Sequence, residues 1–242
     1  IITYLKLDAQ SEAHKTSSHQ YDKLQSICEF TSGNLLLFTD MENFKEKKQN
    51  SEFFKKLQET IDSIETKIKD LIILEPKIFG DERGFFTETF QDKRYKELAG
   101  INASFVQDNY SKSKKNVLRG LHYQLNPKAQ GKLIKVISGD IYDVIVDIRR
   151  SSSTFLQWEG IKLSSIEKKQ IWIPSGFAHG FLTLSDFAEV SYKVTEYYDP
   201  RSEAIIRYDD PKISIDWPKS SEYILSDKDK EGKLIEDNVL FE

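Results

Sequence analysis

The sequence predicts a mainly β protein, a jelly roll or sandwich, behind an N-terminal α-helical segment. Composition changes sharply near residue 70. Residues 1–70 hold no proline and one glycine (Gly33), whereas all six prolines, ten of the eleven glycines and all three tryptophans follow. Glycine and proline punctuate turns, so the first part reads as helical and the second as short strands with frequent reversals. Beyond residue 71, short apolar stretches recur with turn signals roughly every 8–12 residues, the rhythm of an antiparallel jelly roll. The glycine-rich phosphate patterns GxGxxG and GxxxxGK[ST] are absent, which weighs against a parallel, doubly wound enzyme.

Taken in order, residues 2–30 read as one polar helix stopped by Thr31-Ser32-Gly33-Asn34. A second helix is expected to start at Asn50 or Ser51, both good N-caps. Leu57, Ile61, Ile64, Ile68 and Leu71 then recur at spacings of four, three, four and three. That spacing suits either a short coiled-coil seam for self-association or an amphipathic helix packed on the next domain. His14 and His19, five apart, do not share a helical face and are not read as a metal pair. The chain thus divides into a helical segment, 1–70, and a β domain, 71–242.

Within the β domain, strands are expected over 72–79, 84–90, 105–110, 117–124, 132–138, 141–148, 160–163, 170–174, 178–184 and 188–197. One short helix is expected over 92–98, with Gly100 in the C-cap position. From residue 208 the chain turns polar. Its SDKDKEGK run (226–233) has the composition of a solvated tail.

Charge narrows the functional classes. The net charge of -4 over 242 residues leaves no basic footprint for nucleic acid or an anionic membrane. The single cysteine, Cys28, excludes an intrachain disulfide and suits a reducing cytosol. No apolar run approaches the roughly 20 residues of a membrane span, and no signal peptide is read at the start.

Polar residues on faces that should be apolar mark the candidate site. NVLRGLHYQ (116–124) reads as a strand, yet carries Arg119, Gly120 and His122. A regular strand would send Arg119 and His122 to opposite faces; a bulge at the intervening glycine would turn both toward one cavity. Alternation puts Lys132 with Ile134 and Val136, Tyr192 with Val190 and Val194, and His179 with Phe177 and Phe181. Each alone also fits a satisfied core residue. Together they supply a base near neutral pH, a phenol that stays protonated, and cations for a developing oxyanion. With no cofactor motif, that set suits removal of a proton beside a carbonyl and its return on the other face. A metal-holding β-barrel is the rival reading, but the usual pair of histidines one residue apart is missing: Tyr123 and Gln124 follow His122, and Gly180 and Phe181 follow His179.

Long words of the β domain resemble one family. EPKIFGDERGFFTETF (75–90), FVQDNYSKS (105–113), VLRGLHYQ (117–124), QGKLIKVISGDIYDVIVDIR (130–149), IWIPSGFAHGFLTLSD (171–186) and LSDKD (225–229) are similar, in this order, to the dTDP-4-dehydrorhamnose 3,5-epimerases. These are cofactor-free jelly-roll enzymes of the cupin superfamily. The resemblance covers about 73–242 and leaves 1–70 unaccounted for.

The resemblance implies roles for individual residues. His122 matches the general base acting at C3 and C5 of a dTDP-4-keto-6-deoxy sugar. Asp229 matches the carboxylate that orients it, Tyr192 the acid on the opposite face, and Lys132 the cation beside the C4 oxygen. Arg119 and His179 match residues lining the sugar and diphosphate pocket. Arg83, Glu88, Gln107 and Asn109 match contacts to the dTDP moiety, Tyr198 the aromatic stacked on thymine, and Glu203 and Lys228 further substrate contacts. It also implies a cytoplasmic homodimer whose N-terminal strands lend residues to the partner's site. A related epimerase acting at one carbon, or a non-catalytic nucleotide-sugar-binding cupin, is the alternative.

Overall fold

Strands dominate the described residues, as expected. The structure, a computed structural model, describes residues 3–6, 68 and 70–242, and the chain falls into two units, Ile1–Asn102 and Ala103–Glu242.

In the first unit, β1 (Thr3–Lys6) pairs in parallel with β2 (Ile72–Glu75), Thr3 opposite Ile72. A strand at Thr3–Lys6 corrects the expectation of one helix over 2–30. The β-branched and aromatic pair Thr3-Tyr4 suits a ladder better than a helix, and pairing decides what propensity leaves open. The remainder of that helix, the second helix with Leu57, Ile61 and Ile64, and both His14 and His19 lie outside the described residues. Ile68 and Leu71 are described. Both are fully buried and neither is helical, since Asp70 between them turns with φ +76° and the chain enters β2.

The expected strand over 72–79 is broken at Pro76, which has no N–H for a ladder. Its second half becomes β3 (Ile78–Asp81), which forms a tight hairpin with β4 (Gly84–Thr87). The hairpin exposes Ile78, Phe79, Phe85 and Phe86. Helix α1 (Asp92–Ala99) starts at Gln91, whose side chain accepts from the Arg94 N–H. It stops at Gly100 with φ +66°, the left-handed cap expected there.

The second unit is built on two antiparallel sheets. In one, neighbouring strands run β10 (Gln170–Ile173), β7 (Lys132–Ser138), β12 (Phe187–Val194), β5 (Gln107–Lys114). In the other they run β13 (Glu203–Ile205), β6 (Leu118–Gln124), β11 (Phe177–Thr183), β8 (Asp140–Asp147), β9 (Trp158–Ser164). This is the expected jelly roll, with β13 added from a stretch not read as a strand. One face of the second sheet buries Leu118, Leu121, Val144, Val146 and Leu182 against Ile206, Ile213, Trp217, Ile235 and Leu240 of the C-terminal segment. The polar C-terminal stretch therefore covers a core, which corrects the reading of a solvated tail. Within it, the SDKDK run forms the short helix α2 (Asp227–Lys230), capped by Ser226. The opposite face of the second sheet is left for the polar side chains that line the site.

Candidate active site

The bulge anticipated at Gly120 sets the geometry. On β11, His179 and Phe181 are two residues apart, yet their partners on β6, His122 and Arg119, are three apart. The extra β6 residue turns Arg119 and His122 to the same face. Only glycine fits there. Gly120 has φ +119°, and a Cβ on it would lie 2.6 Å from Gly180 Cα and 2.7 Å from the His179 carbonyl oxygen.

A cavity of about 230 Å³ opens between the sheets. Lys132 of β7, Tyr192 of β12, and Gln107 and Asn109 of β5 line it from one sheet. His122 and Gln124 of β6 and Glu203 of β13 line it from the other, with Tyr198 and Gln130 from loops. The alternation explains the set. Tyr192 stands opposite both Asn109 and Ile134, and Lys132 opposite Val194, so these polar groups share one face across three strands.

Each side chain is held by named partners. His122 Nε2 lies 2.6 Å from Asp229 Oδ1, and Asp229 is buried. Asp229 also accepts from Ser226 Oγ at 2.6 Å and from the Gly120 N–H at 3.3 Å. Burial alone would raise the Asp229 pKa; the hydrogen bonds and the nearby imidazole instead hold it below the ordinary carboxylate value. Lys132 is 8% exposed and donates from Nζ to the His122 carbonyl oxygen at 3.1 Å. Burial brings its pKa down to about 8, against the opposing charges of Asp143 and Glu203. Burial pushes the Tyr192 phenol up, partly offset by the Arg119 charge, so the phenol is protonated at neutral pH.

The remaining predicted residues divide. Arg119 is exposed, outside the cavity lining, with Nε donating to Ser113 Oγ at 2.9 Å. His179, also outside the lining, is paired with Asp143 at 2.8 Å. Lys228 of α2 forms an ion pair with Glu203, whose carboxylate also accepts from the Tyr198 hydroxyl at 2.9 Å. Gln107 accepts from the Tyr198 N–H and donates to Asn109. Arg83 and Glu88 belong to the first unit, where Arg83 pairs with Asp81 and Glu88 with Arg94. Asp143, Gln124 and Gln130 were not singled out in the sequence. Asp143 was legible in principle, as an acid on the same strand face as Ile141 and Ile145. Among the described residues no three His, Cys, Asp or Glu side chains are grouped to hold a metal ion.

Comparisons with known proteins place the chain in a family. The family model for dTDP-4-dehydrorhamnose 3,5-epimerase matches residues 65–237. The enzyme of that name from Salmonella typhimurium is 54% identical over 179 residues, 74% of this chain and 98% of that one. The one from Pseudomonas aeruginosa is 50% identical over 174 residues, 72% of this chain and 96% of that one. A crystal structure of dTDP-6-deoxy-D-glucose-3,5-epimerase from Legionella pneumophila, in complex with dTDP-4-keto-L-rhamnose, superposes with a TM-score of 0.69 at 57% identity, covering 71% of this chain and 90% of that one. With its jelly roll, its polar cavity and this likeness in hand, the chain belongs to the dTDP-4-dehydrorhamnose 3,5-epimerase family.

Proposed function

We propose that this chain is a cofactor-independent epimerase converting dTDP-4-dehydro-6-deoxy-α-D-glucose to dTDP-4-dehydro-β-L-rhamnose. The observation that carries the proposal is that His122 and Tyr192 face one cavity from opposite sheets, with the buried Lys132 ammonium in the same space. A proton can leave one face of a ring and return to the other only if base and acid flank it.

The roles follow from the contacts. Asp229 acts as hydrogen-bond acceptor toward Nε2–H of His122, and in that tautomer Nδ1 keeps a lone pair for the substrate proton. The C4 ketone acidifies the hydrogens on C3 and C5, so no electron carrier is called for. Removal of the C3 proton puts negative charge on the C4 oxygen, where Lys132 stabilises it. The Tyr192 hydroxyl delivers a proton to the opposite face, solvent restores both groups, and the cycle repeats at C5. Tyr198, half exposed, offers a ring for the thymine, a contact worth about 1–3 kcal/mol. Gln107 and Asn109 lie beside it for the nucleotide, and Glu203, Lys228, Arg119 and His179 serve the sugar and diphosphate end.

In this reading the protein works as a homodimer, and Arg83 and Glu88 are nucleotide contacts lent to a second copy. The exposed Phe79, Phe85 and Phe86 on that hairpin support an interface there. A cytoplasmic site is supported by the lone cysteine.

Proton NMR of dTDP-4-keto-6-deoxyglucose with the protein in D2O tests the function. Deuterium is expected at both C3 and C5. Label at one carbon would identify a single-site epimerase, and none at either would leave a nucleotide-sugar-binding protein.

A further inference from the structure

A second imidazole–carboxylate pair stands beside the first. His179 on β11 is the cross-strand partner of His122 on β6. Its Nε2 lies 2.8 Å from Oδ2 of Asp143, which sits on β8 opposite Phe181. Asp143 is fully buried, and its other oxygen, Oδ1, has no hydrogen-bond partner among the described residues. A buried carboxylate with an unanswered oxygen is strongly unfavourable unless a positive charge compensates it. The roles assigned above leave Asp143 without a task.

The surrounding charges say which cation it answers. Lys132 Nζ donates to the carbonyl of His122, the cross-strand partner of the His179 that holds Asp143, and the Asp143 and Glu203 carboxylates both favour its charged form against burial. Glu203 is already ion-paired with Lys228 and accepts from Tyr198. Asp143 pairs with His179, and burial lowers the pKa of that imidazole, so it is neutral at pH 7. A neutral imidazole orients a carboxylate without cancelling its charge. Lys132, with Nζ bonded to a backbone carbonyl rather than to a carboxylate, is the buried cation left to balance it.

We propose that Asp143 is a positioning residue for the oxyanion end of the site, aimed by His179 and serving as the buried counter-charge of the Lys132 ammonium. The inference rests on the epimerase reading for its consequence in catalysis, but not for the charge pairing itself. Asp143 holds Lys132 in the charged form that the developing enolate requires, without occupying its donors.

The test separates the two levels. Lysine carbons are labelled, and the Lys132 signal, assigned by its loss in Lys132→Met, is titrated by NMR in the wild type and in Asp143→Asn. The expected result is a fall of about one pH unit in the variant, since a neighbouring opposite charge shifts a pKa by about 1–3. The alkaline limb of kcat is expected to move down with it while KM holds. An unchanged Lys132 titration in a folded Asp143→Asn protein overturns the inference, whatever the turnover. Should the wild type itself show no exchange at C3 or C5, the epimerase reading fails and the titration still decides the pairing. If Asp143→Asn does not fold, the double variant Asp143→Asn/Lys132→Met should recover folding, because the uncompensated charge is then gone. Failure of the double variant to fold equally overturns the pairing.

Discussion

The Lys132 ammonium donates a hydrogen bond to the backbone carbonyl of His122 at 3.1 Å, so the proposed oxyanion stabiliser of one sheet is tied to the proposed base of the other. One contact thereby ties the cation to the strand that carries the base. Lys132→Met keeps most of the apolar stem and deletes the charge. It is expected to lower kcat by about 10²–10³, as for loss of one oxyanion donor, with a smaller change in KM. Steady-state kinetics on the purified epimerase substrate checks this, and a change confined to KM would remove Lys132 from the chemical step.

The same lysine sets an alkaline limit. Burial lowers its pKa to about 8, so the required ammonium is present below that pH and is lost above it. Turnover should fall above pH 8, whereas an ordinary lysine would keep its charge to about pH 10.4. The sign for stability is opposite to that for activity. With the folded value below the unfolded one, the buried charge opposes folding most below pH 8, and the penalty fades as pH rises toward the unfolded value. A pH series of turnover and urea midpoints should show these two trends diverging between pH 8 and 10.

Asp229 is expected to act through His122. Asp229→Asn removes the negative charge that favours the Nε2–H tautomer and stabilises the protonated imidazole, and a loss of about 10²-fold in kcat is expected. The folded pKa of Asp229 is held below its ordinary value, so its stabilising contribution is present above the unfolded value near 3.9 and is lost as pH falls through the folded one. The variant should lose part of the wild-type dependence of stability on pH below about 4. Equal acid denaturation profiles would count against the pairing.

How much of this was legible depends on the range of the interactions. The strands were readable because alternation is local: Lys132, Ile134 and Val136 announce an inward face with no other information. The bulge at Gly120 was readable for the same reason, from a glycine between two functional residues. Asp229 was not readable from composition. SDKDK looks solvated, and what buries Asp229 is a contact with Gly120 and His122 more than a hundred residues away. Only the family resemblance marked it. Asp143 is harder to read, because the middle acid of the run DIYDVIVD passes for a strand irregularity until its neighbours on β11 are known. Thr3–Lys6 went the other way: helical context suggested a helix, and pairing with β2 made a strand.

Gly120 is a structural requirement of the site. Gly120→Ala places a methyl group 2.6 Å from Gly180 Cα at a φ of +119°, where L side chains are strained. Backbone strain and overpacking, each about 1–3 kcal/mol, make a loss of about 2–6 kcal/mol in unfolding free energy the expected result. Denaturant titration measures it. A variant within about 0.5 kcal/mol of the wild type would mean that β6 and β11 can separate there.

Tyr192 divides the reaction into two halves that isotopes can distinguish. Burial keeps its hydroxyl protonated, and Arg119 only partly opposes that effect, so at neutral pH it can donate but not accept a proton. Tyr192→Phe removes the donor while leaving His122, Asp229 and Lys132 in place. The base should still take the C3 proton and, after exchange with solvent, return a deuteron to the face it came from. Deuterium should therefore enter C3 with retention, while formation of the inverted sugar falls by about 10²–10⁴. NMR in D2O reads both processes in one sample. Equal loss of exchange and inversion would mean that the phenol is needed for proton removal itself, and would shift the role of base away from His122 acting alone.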